Sequence, residues 1–285
     1  MKRETLRKLA RDPRFIPGIY NYCDRWCERC PLSNRCLNYA MEKKRNEGDP
    51  VTRDLANAKF WEQLHETFQD TIEMVREDAK ARGIDLDDPK LRAEVIAQER
   101  AERRQAAKNR PLARAAMAYL KAVDQWMTDA KPLFAGKIAE LKTQVELEIG
   151  EPKAEAQRLS DFTDVIQWYQ HFIYVKLCRA IDSRASEELE TDEEQKKYPK
   201  DSDGSAKIAL IAMDRSISAW AGLREALGDE ADGILDLLAQ LTALRRRTEA
   251  LFPKARAFVR PGFDHPVSPP PTGEAPAARK KEPRT

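Results

Sequence analysis

Residues 161–183, DFTDVIQWYQHFIYVKLCRAIDS, decide the fold class of this chain. Between positions 162 and 181 the charged side chains are few: Asp164, Lys176 and Arg179. A helix that is apolar on every side is typical of the centre of a helical bundle. The stretch 205–227 has a similarly low charge, and Ser160 is a suitable N-cap for the helix over 161–183. We therefore expect two central helices.

Upstream of this pair, an aspartate followed by a proline predicts two helix starts, at Asp49-Pro50 and Asp88-Pro89. The first of these helices should end at Gly83. Its apolar side chains follow a helical spacing: Trp61, Leu64, Phe68, Ile72, Val75 and Ala79. This stripe predicts a helix face that packs into the core.

The remaining helices are predicted from prolines and apolar spacing. A polar helix over 89–110 is interrupted by Pro111, and the next helix is expected to kink at Pro132 before it reaches Gly150. A last helix covers 230–252. No alternating Val, Ile and Thr run predicts a strand. The sequence therefore predicts an all-α bundle of five or six helices, preceded by a short cysteine-rich metal-binding module.

The net charge of +2 is unevenly distributed along the chain. Residues 1–48 carry 12 basic and 6 acidic side chains, whereas residues 182–203 carry nine acidic and four basic ones. From Pro261 onward the chain holds seven of its 17 prolines, which is typical of a disordered tail. We expect a cysteine module over 1–48, a bundle over 49–260 with an acidic linker at 184–204, and a tail over 261–285.

The composition argues against membrane and secreted proteins. The mean hydropathy is −0.69, and no apolar run approaches the ~18–20 residues that cross a bilayer. The first residues, MKRETLRKLARDPR, lack the apolar region of a secretory signal, so we expect a cytoplasmic protein. In that reducing compartment, clustered cysteines more often hold a metal than form disulfides.

Four of the five cysteines lie close together in residues 18–36, GIYNYCDRWCERCPLSNRC, with the spacing C-x3-C-x2-C-x5-C. The predicted ligands are Cys23, Cys27, Cys30 and Cys36. Zinc ribbons and fingers usually join two cysteine pairs across a spacer of about 12 residues or more. A cubane cluster has an iron at each of four corners, so four cysteines of one loop can each reach a different iron.

The segment CERCPLSNRC resembles the C-x2-C-x5-C end of the [4Fe–4S] loops in helix–hairpin–helix DNA glycosylases and RecB-like nucleases. The resemblance covers about fifteen residues and implies a [4Fe–4S] cluster on the four cysteines. The first gap is three residues instead of six, and the loop lies near the N-terminus, so only the ligand assignment is transferred. The first three cysteines also match the C-x3-C-x2-C motif of radical SAM enzymes, whose α/β barrel this helical sequence does not form.

Three alternatives stay open for the cysteine loop: a [4Fe–4S] cluster, a structural Zn2+, and no metal. The first predicts electron transfer or redox sensing with a protein partner. The second predicts a zinc adaptor that binds nucleic acid or protein. The metal itself does not distinguish an enzyme from a binding protein, so enzymatic activity is left undecided.

A second constellation involves the helical histidines. Glu62 and His65 form an E-x-x-H pair, and His171 shares a stripe with Asp164. Together with Asp214 these residues could form a buried polar network. The Glu62–His65 pair could also be half of a di-iron site, but a complete di-iron site requires a second E-x-x-H pair. The alternative is that the histidines are ordinary core residues with satisfied hydrogen bonds.

A third constellation is basic. Six positively charged side chains crowd one helical region: Arg100, Arg103, Arg104, Lys108, Arg110 and Arg114. Such a face can bind phosphates. Glu99 and Glu102 interrupt it, and a solvated helix surface is the alternative, so nucleic acid is a candidate partner alongside protein.

Overall fold

The structure, a computed structural model, describes residues 11–46, 57–228 and 233–264, together with Leu9. These residues contain α-helices and short 3₁₀ turns but no strand, which confirms the all-α class. The helices are α1 (Leu37–Asn46), α2 (Ala58–Ala81), α3 (Pro89–Ala107), α4 (Arg110–Asp129), α5 (Lys131–Glu146), α6 (Pro152–Leu189), α7 (Asp201–Leu227) and α8 (Gly233–Leu251). None of the eight is both long and apolar enough to cross a membrane.

The prediction of five or six helices is wrong, because eight lie in the described part of the chain. Helix α1 follows the cysteine loop and was not predicted. Pro132 does not kink one long helix but lies in the first turn of α5, after α4 has ended at Ala130. A proline ring has no N–H to donate and collides with the carbonyl four residues earlier, so here it separates two helices.

The chain divides into two compact units, one of residues 1–82 and 259–285 and one of residues 83–258. This division differs from the expected one, because the first unit takes in α2 and also residues 259–264, which follow the last helix. The predicted helix start at Asp49 lies outside the described residues. So does the predicted tail from residue 265 onward.

The second unit is built around α6 and α7, which pack along each other and also contact α4 and α8. Both helices have many fully buried side chains, which confirms that they are the central pair. At the centre, the Trp220 indole N–H donates to the Tyr119 hydroxyl at 2.9 Å, and the Trp126 ring lies edge-on to Trp220 at 4.9 Å. Burial raises the pKa of Tyr119 above its ordinary value.

Helix α6 begins earlier than predicted, at Pro152, and Ser160 lies inside it as an exposed residue. Proline is well suited to the first turn of a helix, because its N–H would have no partner there. A serine is a cap only where the preceding residues are not helical. Here residues 152–159, PKAEAQRL, are mostly good helix formers and Leu159 is buried, so the low-charge stretch 161–183 is the central part of a 38-residue helix.

About half of the acidic stretch predicted as a linker over 184–204 belongs to the helices: residues 184–189 end α6 and residues 201–204 begin α7. Residues 190–200 connect the two helices. The Glu187 carboxylate accepts hydrogen bonds from the Ser202 backbone N–H at 3.0 Å and hydroxyl at 2.6 Å. Asp201 forms an ion pair with Arg179 at 2.7 Å. The acids therefore bind the first turn of α7, where N–H groups favour negative charge.

In the first unit, α2 is capped by Asn57, whose side chain accepts from the Lys59 N–H at 3.0 Å. It ends at Ala81, before Gly83 with φ of 70°, as predicted. In the described part of the chain most of the predicted core face is exposed: Trp61 is 55% and Phe68 is 59% exposed, whereas Ala79 at the end of the stripe is buried. An amphipathic pattern states which face of a helix is apolar but not which element covers it.

Candidate metal centre

The cysteine loop is coiled by short 3₁₀ turns: Ile19–Asn21, Cys27–Arg29 and Ser33–Arg35. Two of these turns are closed by the N–H of a cysteine. Cys30 donates to the Cys27 carbonyl and Cys36 donates to the Ser33 carbonyl, both at 3.3 Å. Helix α1 begins directly after Cys36. Because the turns follow one another without a long spacer, the loop keeps all four thiols in one small region.

Backbone hydrogen bonds tie the two ends of the loop together. The Ile16 N–H donates to the Arg35 carbonyl at 3.0 Å, and the Arg35 Nε donates to the Arg14 carbonyl at 3.2 Å. Between the first two cysteines, Arg25 has φ of 59°, a left-handed conformation that is uncommon for a residue with a side chain. The chain reverses there, and the Cys27 N–H donates back to the Arg25 carbonyl at 3.0 Å.

The four predicted ligands line one cavity of about 20 Å³. Cys23, Cys27, Cys30 and Cys36 are all half-buried, and none of them forms a disulfide. The volume is about that of one water-sized sphere. The loop therefore brings four thiols, none of them in a disulfide, to a common space.

The thiols do not converge on one point. Among the described residues, no group of three or more His, Cys, Asp or Glu side chains is arranged so that it holds a single metal ion. A tetrahedral zinc site needs its sulfur atoms about 2.3 Å from one centre. A zinc ion would therefore require the side chains to turn inward, and a cluster that occupies more than 20 Å³ would require them to turn outward.

The surroundings of Cys27 and Cys30 favour the protonated thiol when no cation is present. Burial raises the pKa of Cys27 to about 11, with smaller contributions from Cys23 and Glu42. Burial also raises the pKa of Cys30, and the Leu32 N–H, which donates to its sulfur, partly offsets the change. A bound cation favours the thiolate, so metal binding at this loop would release protons.

Apolar side chains surround the thiols. The aromatic side chains of Tyr20 and Trp26 line the cavity. Ile19, at the base of the cavity, is only 2% exposed. These walls lower the local polarity, which favours a low-charge complex over free thiolates.

Positive charge lies next to this apolar lining. Arg25 lines the cavity and is exposed, and the Arg29 guanidinium lies 4.1 Å from the centre of the Trp26 ring. A metal–tetrathiolate is an anion, and both guanidinium groups are placed to offset its charge. Negative charge lies nearby as well, because Asp24 lines the cavity and Glu42 adds to the raised pKa of Cys27.

The donor set fits a thiophilic metal. Four thiols line the cavity together with one carboxylate, Asp24, and without a histidine, and a four-thiol set suits iron–sulfur clusters and structural zinc equally in chemical type. The two differ in how the sulfurs must be spaced. One zinc ion needs all sulfurs on one centre, whereas a cubane offers a separate iron to each sulfur.

The histidines do not form the buried network that the sequence suggested. His65 is exposed on α2, where its Nε2 lies 3.4 Å from the Gln69 amide nitrogen, and Glu62 is exposed as well. His171 is exposed on α6. The stripe that carries His65 is itself uncovered, so a histidine on it remains in contact with solvent.

The two aspartates of that predicted network have ordinary surroundings. Asp164 is half-buried on α6. Asp214 forms ion pairs with Arg245 at 3.1 Å and with Arg256 at 2.5 Å. These contacts join α7, α8 and the residues after α8, so the structure gives Asp214 a packing role within the second unit.

The basic region of α3 and α4 is not a uniform cationic face. Its members are Arg100, Arg103, Arg104, Lys108, Arg110 and Arg114. Arg110 binds Asp182 at 2.8 Å and Arg103 lies 3.6 Å from Glu99. The same two arginines line an open cleft of about 240 Å³ together with three acidic residues. This mixture of charges resembles a solvated helix surface more than a phosphate-binding stripe.

Two residues of the site were not singled out from the sequence. Tyr39 of α1 and Phe263, which follows the last helix, both line the cavity. Tyr39 is three residues after the last cysteine, so a helix starting there predicts its position. Phe263 carries only a weak signal, because it lies in a proline-rich segment without periodicity and far from the cysteines in sequence.

Comparison with known proteins gives no relative for this chain: no family model, no curated protein and no solved structure matches it. The residues of the cysteine loop and their surroundings are therefore the basis for any functional proposal.

Proposed function

We propose that Cys23, Cys27, Cys30 and Cys36 hold a [4Fe–4S] cluster and that the protein transfers electrons or senses redox state together with a protein partner. The observation that supports this most directly is that four thiols of one short loop, none of them in a disulfide, line one cavity. Each corner of a cubane binds one cysteine, so such a set needs no common centre.

The cluster would supply a site that gains or loses one electron. The chain would bind it through the four thiolates, exclude water with Trp26 and Tyr39, and offset its negative charge with Arg25 and Arg29. Burial and nearby charges set the reduction potential of such a cluster. A reducing cytoplasm is the compartment that suits it.

A partner would dock on the exposed basic surface beside the thiols. Arg25 and Arg29 are both exposed next to the cavity. Opposite charge on a partner speeds the encounter and orients it, and the effect weakens as salt increases. We therefore expect an acidic surface on the redox partner, placed within a short distance of the cysteine loop.

The alternative is a zinc adaptor. It is favoured by one observation, the cavity volume of about 20 Å³, which suits a single ion. In that case the metal would fold the loop and supply no redox chemistry. The adaptor would bind protein or nucleic acid, and binding of mixed-sequence DNA that disappears with moderate salt would support the second of these.

Metal analysis and a visible spectrum test the proposal. Protein purified without oxygen should contain iron and sulfide and absorb near 400 nm, and reduction with dithionite should bleach this band. The variant Cys30→Ala should lose the iron, while Cys178→Ala, which changes the fifth cysteine outside the loop, should keep it. A colourless protein with one zinc per chain would contradict the cluster and support the zinc adaptor. A protein without metal would contradict both proposals.

A further inference from the structure

The residues after the last helix complete the wall of the cysteine cavity. Residues 259–264 belong to the same compact unit as the cysteine loop. Phe263 lines the cavity together with all four cysteines. The wall is therefore made from two parts of the chain that lie before and after the second unit in the sequence.

The fit of this segment against the loop is close at Gly262. Its φ is 78°, and a Cβ built there would lie 2.9 Å from the Ile16 Cδ1 and 3.1 Å from the Ile19 Cδ1. Both distances are shorter than ordinary van der Waals contact. On the other side, Gly18, also with positive φ, leaves 4.0 Å between its Cβ position and Pro261. Glycine at position 262 thus lets the segment approach the apolar base of the cavity.

The segment is also held in a defined turn. The Arg260 backbone N–H donates to Asp264 Oδ2 at 2.8 Å, and its guanidinium donates to Asp264 Oδ1 at 2.9 Å. The two side chains are only 14% and 21% exposed, and the Arg260 guanidinium lies 4.9 Å from the centre of the Phe263 ring. The ion pair joins the two ends of the turn that contains Phe263.

We propose that residues 260–264 form a lid over the metal centre, with Phe263 as the side chain that closes it. The lid deepens the proposed function, because it protects whichever metal the thiols hold from water, chelators and thiol reagents. An aromatic ring excludes water over a large area at little cost in side-chain entropy. The four cysteines are half-buried with the lid in place, so opening of the lid should increase the access of reagents to the sulfurs, and the rate of their reaction reports how far Phe263 limits that access.

The variant Phe263→Ala tests this inference. We expect its metal content after anaerobic purification to match that of the parent protein, since the four thiols are intact. Loss of metal to an excess of a strong chelator such as EDTA should become about tenfold faster, which corresponds to about 1.4 kcal/mol in the opening free energy. Val259→Ala, an exposed position of the same segment, is the matched control and should leave the rate unchanged.

Two further variants separate a lid from a general loss of folding. Phe263→Leu keeps apolar bulk and should restore most of the protection. Gly262→Ala keeps the ring but places a methyl group against Ile16 and Ile19, so it should open the lid as well. If Phe263→Ala lowers the metal content itself, the other two variants test the lid instead. Normal metal content with slow metal loss in Phe263→Leu and faster metal loss in Gly262→Ala would support it, and parent-like rates of metal loss in Gly262→Ala would contradict it.

The lid can also be tested without metal. In the metal-free chain, alkylation of Cys27 and Cys30 by iodoacetamide, followed peptide by peptide with mass spectrometry, should be faster in Phe263→Ala than in the parent protein. This measurement separates the two proposals, because it holds whether iron, zinc or neither is found. Equal chelation and alkylation rates in Phe263→Ala, Val259→Ala and the parent chain would overturn the lid.

Discussion

Gly222 shows how closely single residues are fitted in the second unit. It lies inside α7, and a Cβ built on it would be 2.4 Å from the tip of the Phe162 ring of α6. Glycine usually weakens a helix interior by up to about 1 kcal/mol relative to alanine. At this position its small size instead allows two central helices to approach, with an aromatic ring between them.

Replacing Gly222 with alanine should therefore destabilise the protein although it raises helix propensity. We expect a loss of about 1–3 kcal/mol in the free energy of unfolding, because the ring has to move in a packed core. Gly136 of α5 is the matched control, since nothing lies within 4 Å of its Cβ position. Gly136→Ala should stabilise the protein by up to about 1 kcal/mol. Urea unfolding of the two variants measures both, and a stabilising Gly222→Ala would contradict the packing described here.

Among the elements, the C-terminal end of α6 is connected to α3 through Glu188. Its carboxylate accepts from Arg184 at 2.7 Å and also binds the Gln105 amide of α3. The Arg184 guanidinium, and to a smaller extent Gln105, lowers the pKa of Glu188 below its ordinary 4.5. Because the side chain is about one third exposed, solvent screens this interaction and its contribution is modest.

The pH dependence of this contact has a definite sign. A lowered pKa in the folded state means that the stabilisation is complete above about 4.5 and is lost as the pH falls through the folded-state value. The destabilisation caused by Glu188→Gln should thus be largest near neutral pH and should shrink on acidification. When both proteins also carry Arg184→Gln, the difference in stability caused by Glu188→Gln should lose most of its pH dependence. Thermal unfolding between pH 7 and pH 3 measures it, and a difference that grows in acid would contradict this assignment.

Helix boundaries could be predicted where the signal is local. Asp88 accepts from the Lys90 N–H at 2.9 Å and caps α3, and Pro111 lies in the first turn of α4, both as the sequence indicated. The early start of α6 could not be predicted from Ser160, because a good cap residue is also tolerated inside a helix. The exposed face of α2 could not be predicted either, because the spacing of apolar residues does not show which other element, if any, packs against that face.

The candidate site shows the same limit. The cysteine loop could be located from its spacing, because its members are close in sequence and each turn between them is short. Phe263 could not, because its contact with the loop joins residues near the two ends of the chain, and no periodic pattern predicts such a pair. The basic residues around Arg103 were visible in the sequence, but their pairing with Glu99 and Asp182 depends on helix packing.

At the scale of the whole molecule, a metal bound by the proposed ligands would affect the two units differently. The large apolar core lies in residues 83–258, while the predicted ligands lie in the other unit. Metal binding stabilises the part of the chain that supplies the ligands, because the site does not exist when that part is unfolded. The helical core has its own buried side chains and needs no metal to exclude water from them.

Removing the metal should therefore loosen one unit and spare the other. After chelation, hydrogen exchange followed by mass spectrometry should accelerate in residues 11–46 and 259–264. Exchange in the core of α6 and α7 should remain as slow as in the untreated protein. Equal acceleration in both units would contradict the division, and no change in residues 11–46 would contradict the metal centre.

The place of Phe263 in the chain also bears on how the protein is made. A ribosome releases Cys36 long before it adds Phe263, so the nascent thiols stand in an unfinished cavity while the entire helical core is being translated. An assembly factor could deliver its inorganic cargo through the open side during that interval. Once residues 260–264 emerge, the proposed lid can close over the thiols, and a fusion that obstructs this step would leave newly made molecules with exposed sulfur.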